Sequence, residues 1–263
     1  MRRSVCWIAL ALLTGCADSG AVAPVASAEP SPRVTPAPQD TGWQTVSAGI
    51  EIRELDVTHQ AGRDRLHIAR VDPSLAAFEV RYTPGDARRL DEWLNAEQAR
   101  LVINGGFFDP NAHALGLLIS DGRSFGETYV GLGGLFGVSG GRVQVRSLVF
   151  MPYSSGESFD QLVQCFPMLV NGGAPNVHIR DDGDRAPRSV VGLDRQGRVV
   201  FLLSLRPIFR LTDLGAWLAR SDLDLDSALN LDGGTSSGLV VRTADGVWGL
   251  NSWGGVPAVI VVR

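Results

Sequence analysis

The chain has 263 residues, 44% of them hydrophobic, and a formal net charge of −4; its 24 basic residues are all arginine, with no lysine anywhere. Without lysine there is neither a P-loop nucleotide site nor a Schiff-base enzyme, since both need that amine. The acidic balance and scattered arginines also argue against nucleic acid as a partner, because duplex binding wants a concentrated basic face.

In chain order, Arg2 and Arg3 precede an apolar stretch from Val5 to Leu13, which closes on Leu13-Thr14-Gly15-Cys16. That order is an export signal. The apolar run is too short to cross a bilayer as a helix, and the pattern resembles the lipobox of bacterial lipoproteins. The resemblance implies a signal over residues 1–15, acyl chains on Cys16 and hence a membrane as partner through the lipid anchor. Ala17, where Asp would favour the inner membrane, points to the outer membrane, facing the periplasm. Residues 16–42 then read as the lipidated cysteine and a tether, with Pro24, Pro30, Pro32, Pro36 and Pro38 among small residues and little to bury. Residues 43–263 suit one domain with a sizeable core.

Short β-type runs dominate that domain. They cover Ile50–Val57, Arg65–Val71, Phe78–Tyr82, Leu101–Ile103, Gly116–Ile119, Leu135–Val138 and Val143–Val149. Later runs cover Ser189–Asp194, Val199–Ser204, Ala228–Leu231, Gly238–Arg242 and Ala258–Val262, most of them bounded by Gly, Asp or Asn. Asp121-Gly122, Ser139-Gly140-Gly141 and Arg195-Gln196-Gly197 read as hairpin links. Helical pattern is confined to Leu90–Ala99, Phe159–Val163 and Leu211–Leu218, the last with Thr212 or Asp213 as its cap. The expected class is α+β: strand-rich, mainly antiparallel sheets with few short helices.

Three times an apolar strand ends in Asn or Asp and two glycines: Asn104-Gly105-Gly106, Asn171-Gly172-Gly173 and Asp232-Gly233-Gly234. Paired glycines let backbone N–H groups approach a ligand, and a strand end presents the Asn or Asp rigidly. Such dipeptides are also the usual hairpin signal. The first site continues into Phe107-Phe108-Asp109-Pro110 and the second into a long polar stretch, so only the third reads as a possible simple turn. Arg185 and Arg188 bracket Pro187 and offer forked donors for phosphate or carboxylate.

Gly234-Thr235-Ser236-Ser237-Gly238 fits the spacing of a nucleophile elbow, but a strand comes after it where a helix is needed, and no histidine is later than His178. His59, His67, His113 and His178 lack close metal-ligand spacing, so neither a metal nor another cofactor is implied. Cys165, between Gln164 and Phe166, reads as a small buried apolar residue.

Asn104-Gly105-Gly106-Phe107-Phe108, the segment from Pro167 to Gly172, Arg185 to Gly192 with its Pro-Arg-Ser-Val-Val-Gly core, and Asn230-Leu231-Asp232-Gly233-Gly234-Thr235-Ser236 occur in the order and spacing of a known group. Together they resemble the phosphodiester glycosidase family. Thr235 stands where many members have glycine, and Ser189-Val190 replaces a commoner Thr-Ala. The resemblance implies cleavage of the sugar C1–oxygen bond of a sugar-1-phosphodiester, or of an envelope glycan carrying one, to free sugar and a phosphomonoester. It implies Asp232 as the carboxylate that steadies the sugar cation or activates water, Asp109 as a second candidate, and Arg188 with Arg185 on the phosphate. Substrate contacts would come from Asn104, Gly105, Gly106, Phe107, Phe108, Asn171, Gly172, Gly233, Gly234, Thr235 and Ser236. A non-catalytic glycan-binding lipoprotein is the rival reading of the same residues.

Overall fold

The strands are short, and many are buried on both faces, which explains their near-continuous apolar runs. The structure, a computed structural model, describes residues 39–180 and 183–263. The export signal, Cys16 and most of the proline-rich tether fall outside the described residues.

Three antiparallel sheets carry the fold. The largest has eight strands in the order β1 (Gln44–Ser47), β2 (Ile50–His59), β3 (Gly62–Val71), β14 (Val199–Ser204), β13 (Arg188–Asp194), β15 (Leu225–Asn230), β11 (Met168–Asn171) and β12 (Ala174–Pro175). A second runs β7 (Arg123–Phe125), β6 (Leu118–Ser120), β10 (Gln161–Cys165), β8 (Gly134–Ser139) and β9 (Arg142–Ser147). The third runs β17 (Gly246–Leu250), β16 (Leu239–Thr243), β5 (Leu101–Asn104), β18 (Ala258–Val262) and β4 (Phe78–Tyr82). Two helices complete the set, α1 (Leu90–Ala96) and α2 (Leu211–Arg220).

One face of each sheet turns inward on a shared core. Side chains alternate along a strand, so Val199, Phe201 and Leu203 of β14 enter this core with Ile260 of β18 and Phe136 of β8. The intervening Val200 and Leu202 face the opposite way, onto Leu214 and Leu218 of α2. In the same manner Leu101 and Ile103 point inward, while Val102, Val259 and Val261 pack on Leu90, Trp93 and Leu94 of α1. Each fully buried large side chain contributes roughly 1.5–3 kcal/mol.

The start of α1 has a local and a remote partner, the local one being Glu92, whose side chain accepts from the Arg89 N–H at 2.7 Å. The Asn251 side-chain oxygen accepts from the backbone N–H of Leu90 (2.8 Å) and Asp91 (3.3 Å), capping α1 from a remote loop. Arg210 occupies the N-cap of α2, so neither Thr212 nor Asp213 does; Asp213 lies in the first turn. Ala219 and Arg220 extend α2 beyond its expected end.

The helix expected over Phe159–Val163 is instead the start of β10, the middle strand of the second sheet. Its apolar run is too short for periodicity to separate a helical turn from a buried strand. Pairing decides it: Gln161 to Cys165 match Val138 to Gly134 of β8 residue by residue. The three expected hairpin links do join β6 to β7, β8 to β9 and β13 to β14.

Candidate functional site

The three Gly-Gly segments, alike in sequence, have different structures. At the second, Asn171 pairs with Ala174 across a two-residue turn, and Gly172 and Gly173 both take positive φ (57° and 76°). That is a tight hairpin, which a backbone free to adopt positive φ makes easy. The third, expected as the possible simple turn, does not turn back on its own strand. Past Asp232 the chain forms a short 3₁₀ turn at Gly234–Ser236 and crosses to β16 in a different sheet. Asn104-Gly105-Gly106 likewise leaves β5 without a hairpin.

These two non-hairpin ends are bolted to each other. Asn104 is 1% exposed, and its Nδ2 donates to the Asp232 carbonyl at 2.7 Å. Its Oδ1 accepts from Ser189 Oγ (2.7 Å) and from the Gly238 N–H (3.2 Å). The Asp232 N–H donates to the Gly105 carbonyl at 3.1 Å, and the Gly105 N–H donates to that of Ala258 at 2.9 Å. Asn104 therefore links β5, β13 and the Asp232 loop, and each of its polar atoms is satisfied as burial requires. Gly106 closes the junction: a Cβ there would lie 2.8 Å from Val163 Cγ2 and 3.5 Å from Cys165 Sγ.

Asp232 is half-buried just past the end of its strand. Burial pushes its pKa above the ordinary value, opposed by hydrogen bonds from the Ser236 side chain and the Gly233 N–H, the latter at 2.8 Å. Beneath it lies Cys165, 0% exposed, whose sulfur takes backbone hydrogen bonds from Phe107 and Asp232 while burial raises its thiol pKa. Tyr129 stands within electrostatic reach of both Cys165 and Asp232, and burial raises its pKa as well. Arg188 is 9% exposed; its Nη1 lies 3.9 Å from where a Cβ on Gly233 would sit, and its Nη2 donates to the Asp184 carbonyl at 2.9 Å.

Three buried polar atoms of this region, Tyr129 Oη, Asn230 Oδ1 and Ser237 Oγ, find no hydrogen-bond partner among the described residues. Buried polar atoms are seldom left so, and Tyr129 is the one within electrostatic reach of Asp232.

The structure thus gathers Asn104, Gly105, Gly106, Phe107, Arg188, Gly233 and Ser236 around or beside Asp232. Gly234 and Thr235 lie in the same turn, with the Trp253 N–H donating to the Thr235 carbonyl at 3.0 Å. Asp109 serves its own loop. Its Oδ1 accepts from the N–H of Asn111 (2.8 Å) and His113 (2.9 Å), Oδ2 meets His113 Nδ1 at 3.2 Å, and these bonds lower its pKa. Arg185 Nε donates to the Ile208 carbonyl at 3.2 Å, and Nη2 lies 3.9 Å from Asp213. Phe108 packs on the α1 side of the third sheet. Asn171 lines a groove next to Phe166.

Sequence reasoning missed Tyr129, the Cys165–Asp232 contact and Trp253. Trp253 is 81% exposed beside the Asp232 loop, and Trp253-Gly254-Gly255 is a further Gly-Gly pair with an aromatic residue attached. Among the described residues no three His, Cys, Asp or Glu side chains gather as a metal site would require.

A half-buried carboxylate of raised pKa, a guanidinium beside its loop and two glycine-rich strand ends thus meet where the antiparallel sheets join. A phosphodiester glycosidase family model matches residues 97–263, and the chain belongs to that family. An Escherichia coli protein, the uncharacterised YigE, is 29% identical over 146 residues, which are 52% of this chain and 56% of that protein. The chain therefore spans little more than half of that relative's length. The catalytic domain of zebrafish N-acetylglucosamine-1-phosphodiester α-N-acetylglucosaminidase, solved auto-inhibited by its pro-peptide, shares the fold with a TM-score of 0.65 and 19% identity, over 86% of this chain and 87% of its own. A hypothetical protein from Synechocystis matches with a TM-score of 0.62 and 15% identity, over 87% of this chain and 64% of its own.

Proposed function

We propose that the chain hydrolyses the sugar C1–oxygen bond of a sugar-1-phosphodiester, of the N-acetylglucosamine-1-phosphodiester kind named for its zebrafish structural relative. The observation that carries this reading is Asp232, a half-buried carboxylate of raised pKa with the Arg188 guanidinium beside its loop. A phosphate leaving group is a weak base and needs little general acid. What it needs is positive charge and N–H donors where its own charge grows, which the Arg188 guanidinium offers. Asp232 faces the sugar carbon, either steadying its developing positive charge or drawing a proton from water.

Arg188 provides the test. Its contact strengthens as the bond breaks, so Arg188→Ala should lower turnover of a sugar-1-phosphodiester about 10²-fold. Arg188→Lys should recover only part, because an ammonium cannot reproduce the fork. An aryl glycoside without phosphate should lose far less. Equal losses on both substrates, or losses that track melting of the variant, would reject the phosphate role. Binding of the phosphodiester with no turnover at all would leave a glycan-binding protein instead.

The same proposal places the protein outside the cytoplasm as a lipoprotein anchored through Cys16, supported by the charged, apolar and small-residue order of residues 1–16. Cys16→Ser should then abolish fatty-acid labelling.

A further inference from the structure

A groove of about 820 Å³ passes Tyr129, Phe166 and Met168 and reaches Ile179 and Leu211, and its Tyr129 stands within electrostatic reach of Asp232. The wall is aromatic. Tyr129 meets Phe166 at 5.5 Å between ring centres, and Phe166 meets Phe107 at 4.7 Å. Asn230, two residues before Asp232, fixes this wall: its N–H donates to the Pro167 carbonyl and its Nδ2 to that of Phe166, each at 3.0 Å.

The groove's mouth is greasy and uncovered. Leu132, Val149 and Phe150 line it at 44%, 53% and 69% exposure, with Val130 and Met151 adjoining them in the chain at 87% and 55%. Apolar surface of this kind marks a binding site more often than chance exposure. Charge narrows the occupant. In a chain of net charge −4, the groove's lining contains Arg180 and His178 but no carboxylate. Its concave shape and single arginine suit one elongated ligand; a membrane surface is recognised by clustered basic residues.

We propose that this groove holds the aliphatic alcohol of the substrate, so that the phosphodiester joins a sugar to a long hydrocarbon chain. The inference rests on the phosphodiester glycosidase reading. Water's oxygen bonds to C1 as the C1–oxygen bond breaks, water's proton passes to Asp232 and then solvent, and the chain leaves as an alkyl phosphate in the groove.

The full chain would be assayed on N-acetylglucosamine-1-phosphodiesters with methyl, butyl, hexyl and octyl alcohols, below their aggregation limits. Each buried methylene should raise kcat/KM about 3–4-fold until the groove is filled. Binding of methyl to octyl phosphate, measured by calorimetry, should climb with the same slope and show a negative heat-capacity change. Leu132→Asp and the more exposed Phe150→Ser should flatten both series.

Turnover of the methyl ester with no chain-length dependence would overturn the groove assignment and spare the hydrolase reading. No turnover of any ester, with alkyl phosphates still climbing, would sink the hydrolase reading and keep the groove. Flat alkyl phosphate binding would overturn the groove in either case. So would an unchanged alkyl slope in Leu132→Asp accompanied by lost binding to phosphatidylglycerol vesicles.

Discussion

Asn171-Gly172-Gly173 and Asp232-Gly233-Gly234 differ by one side-chain atom type in their first residue, and the fold treats them oppositely. The first closes a hairpin at the edge of the large sheet, where Asn171 pairs with Ala174 and the Gly173 N–H donates to the Asp226 carbonyl of the adjoining β15 at 2.8 Å. The second leaves one sheet for another and hangs on Asn104, 128 residues earlier in the chain. A Gly-Gly pair thus makes a turn where the chain comes straight back and a crossing loop where two sheets must be joined. The distinction lies in the next segment of chain, which is β12 of the same sheet in one case and the 3₁₀ turn leading to β16 in the other.

Asp232→Asn should show the largest effect. Losing the carboxylate should cut turnover by about 10²-fold or more, while the wild-type rate should fall with acid at a pH above the ordinary carboxylate value of 3.8. Stability should move the other way. A raised pKa means the protonated form favours folding below the ordinary value, and that benefit is lost as pH rises through the raised one. Near neutrality the ionised Asp232 is a burden, so the Asn variant should melt higher than wild type, and its advantage should fade in acid. A variant that melts lower at every pH would contradict the burial described for Asp232.

Asn104→Ala tests the bolt itself. Ser189 Oγ and the Gly238 N–H would lose their buried acceptor, costing about 2–3 kcal/mol. Melting should drop by several degrees and turnover should fall with it. Asn171→Ala should do neither to a comparable extent.

The glycines offer a finer contrast. Gly106→Ala pushes a methyl to 2.8 Å from Val163 Cγ2 in the junction under Asp232, so it should cost about 1–3 kcal/mol and slow turnover of the folded protein. Gly172→Ala meets nothing within 4 Å; only its positive φ resists, at about 1–2 kcal/mol. Its turnover per folded molecule should be unchanged. Equal rate losses in both would mean that the hairpin, too, faces substrate.

Trp253→Ala should be the mildest. A tryptophan 81% exposed carries little stability, so melting should hardly move. If its ring stacks on the sugar, KM should rise a few-fold, about 1 kcal/mol, with kcat unchanged. Trp253→Phe should retain most of that binding.

Much of this molecule was legible in its sequence, because strand faces and turn residues are local signals. β2, β3, β13, β14 and β18 can be read from apolar runs bounded by turns, and the antiparallel character from the missing strand–helix alternation. The hidden parts depend on partners far along the chain. β10 needed β6 and β8 on either side to become a strand. Asn251 caps a helix 161 residues away, and nothing near Leu90 announces it. Asn104 and Asp232 could be marked as candidates from their glycines, but their hydrogen bond could not. Tyr129 sits in a Gly-rich stretch, Tyr129-Val130-Gly131-Leu132-Gly133, that reads as plain loop. Only the fold brings it over Cys165.

Cys165 gives this architecture a built-in reporter. It is the only cysteine among the described residues, fully buried directly beneath the carboxylate. Its burial and raised pKa keep the thiolate scarce, so a thiol reagent can label it only when the junction of β10 with the Asp232 loop opens. When closing outpaces labelling, the modification rate measures the free energy of that opening. A bound substrate analogue that slowed the labelling would show that the sheets part at the site before they part elsewhere.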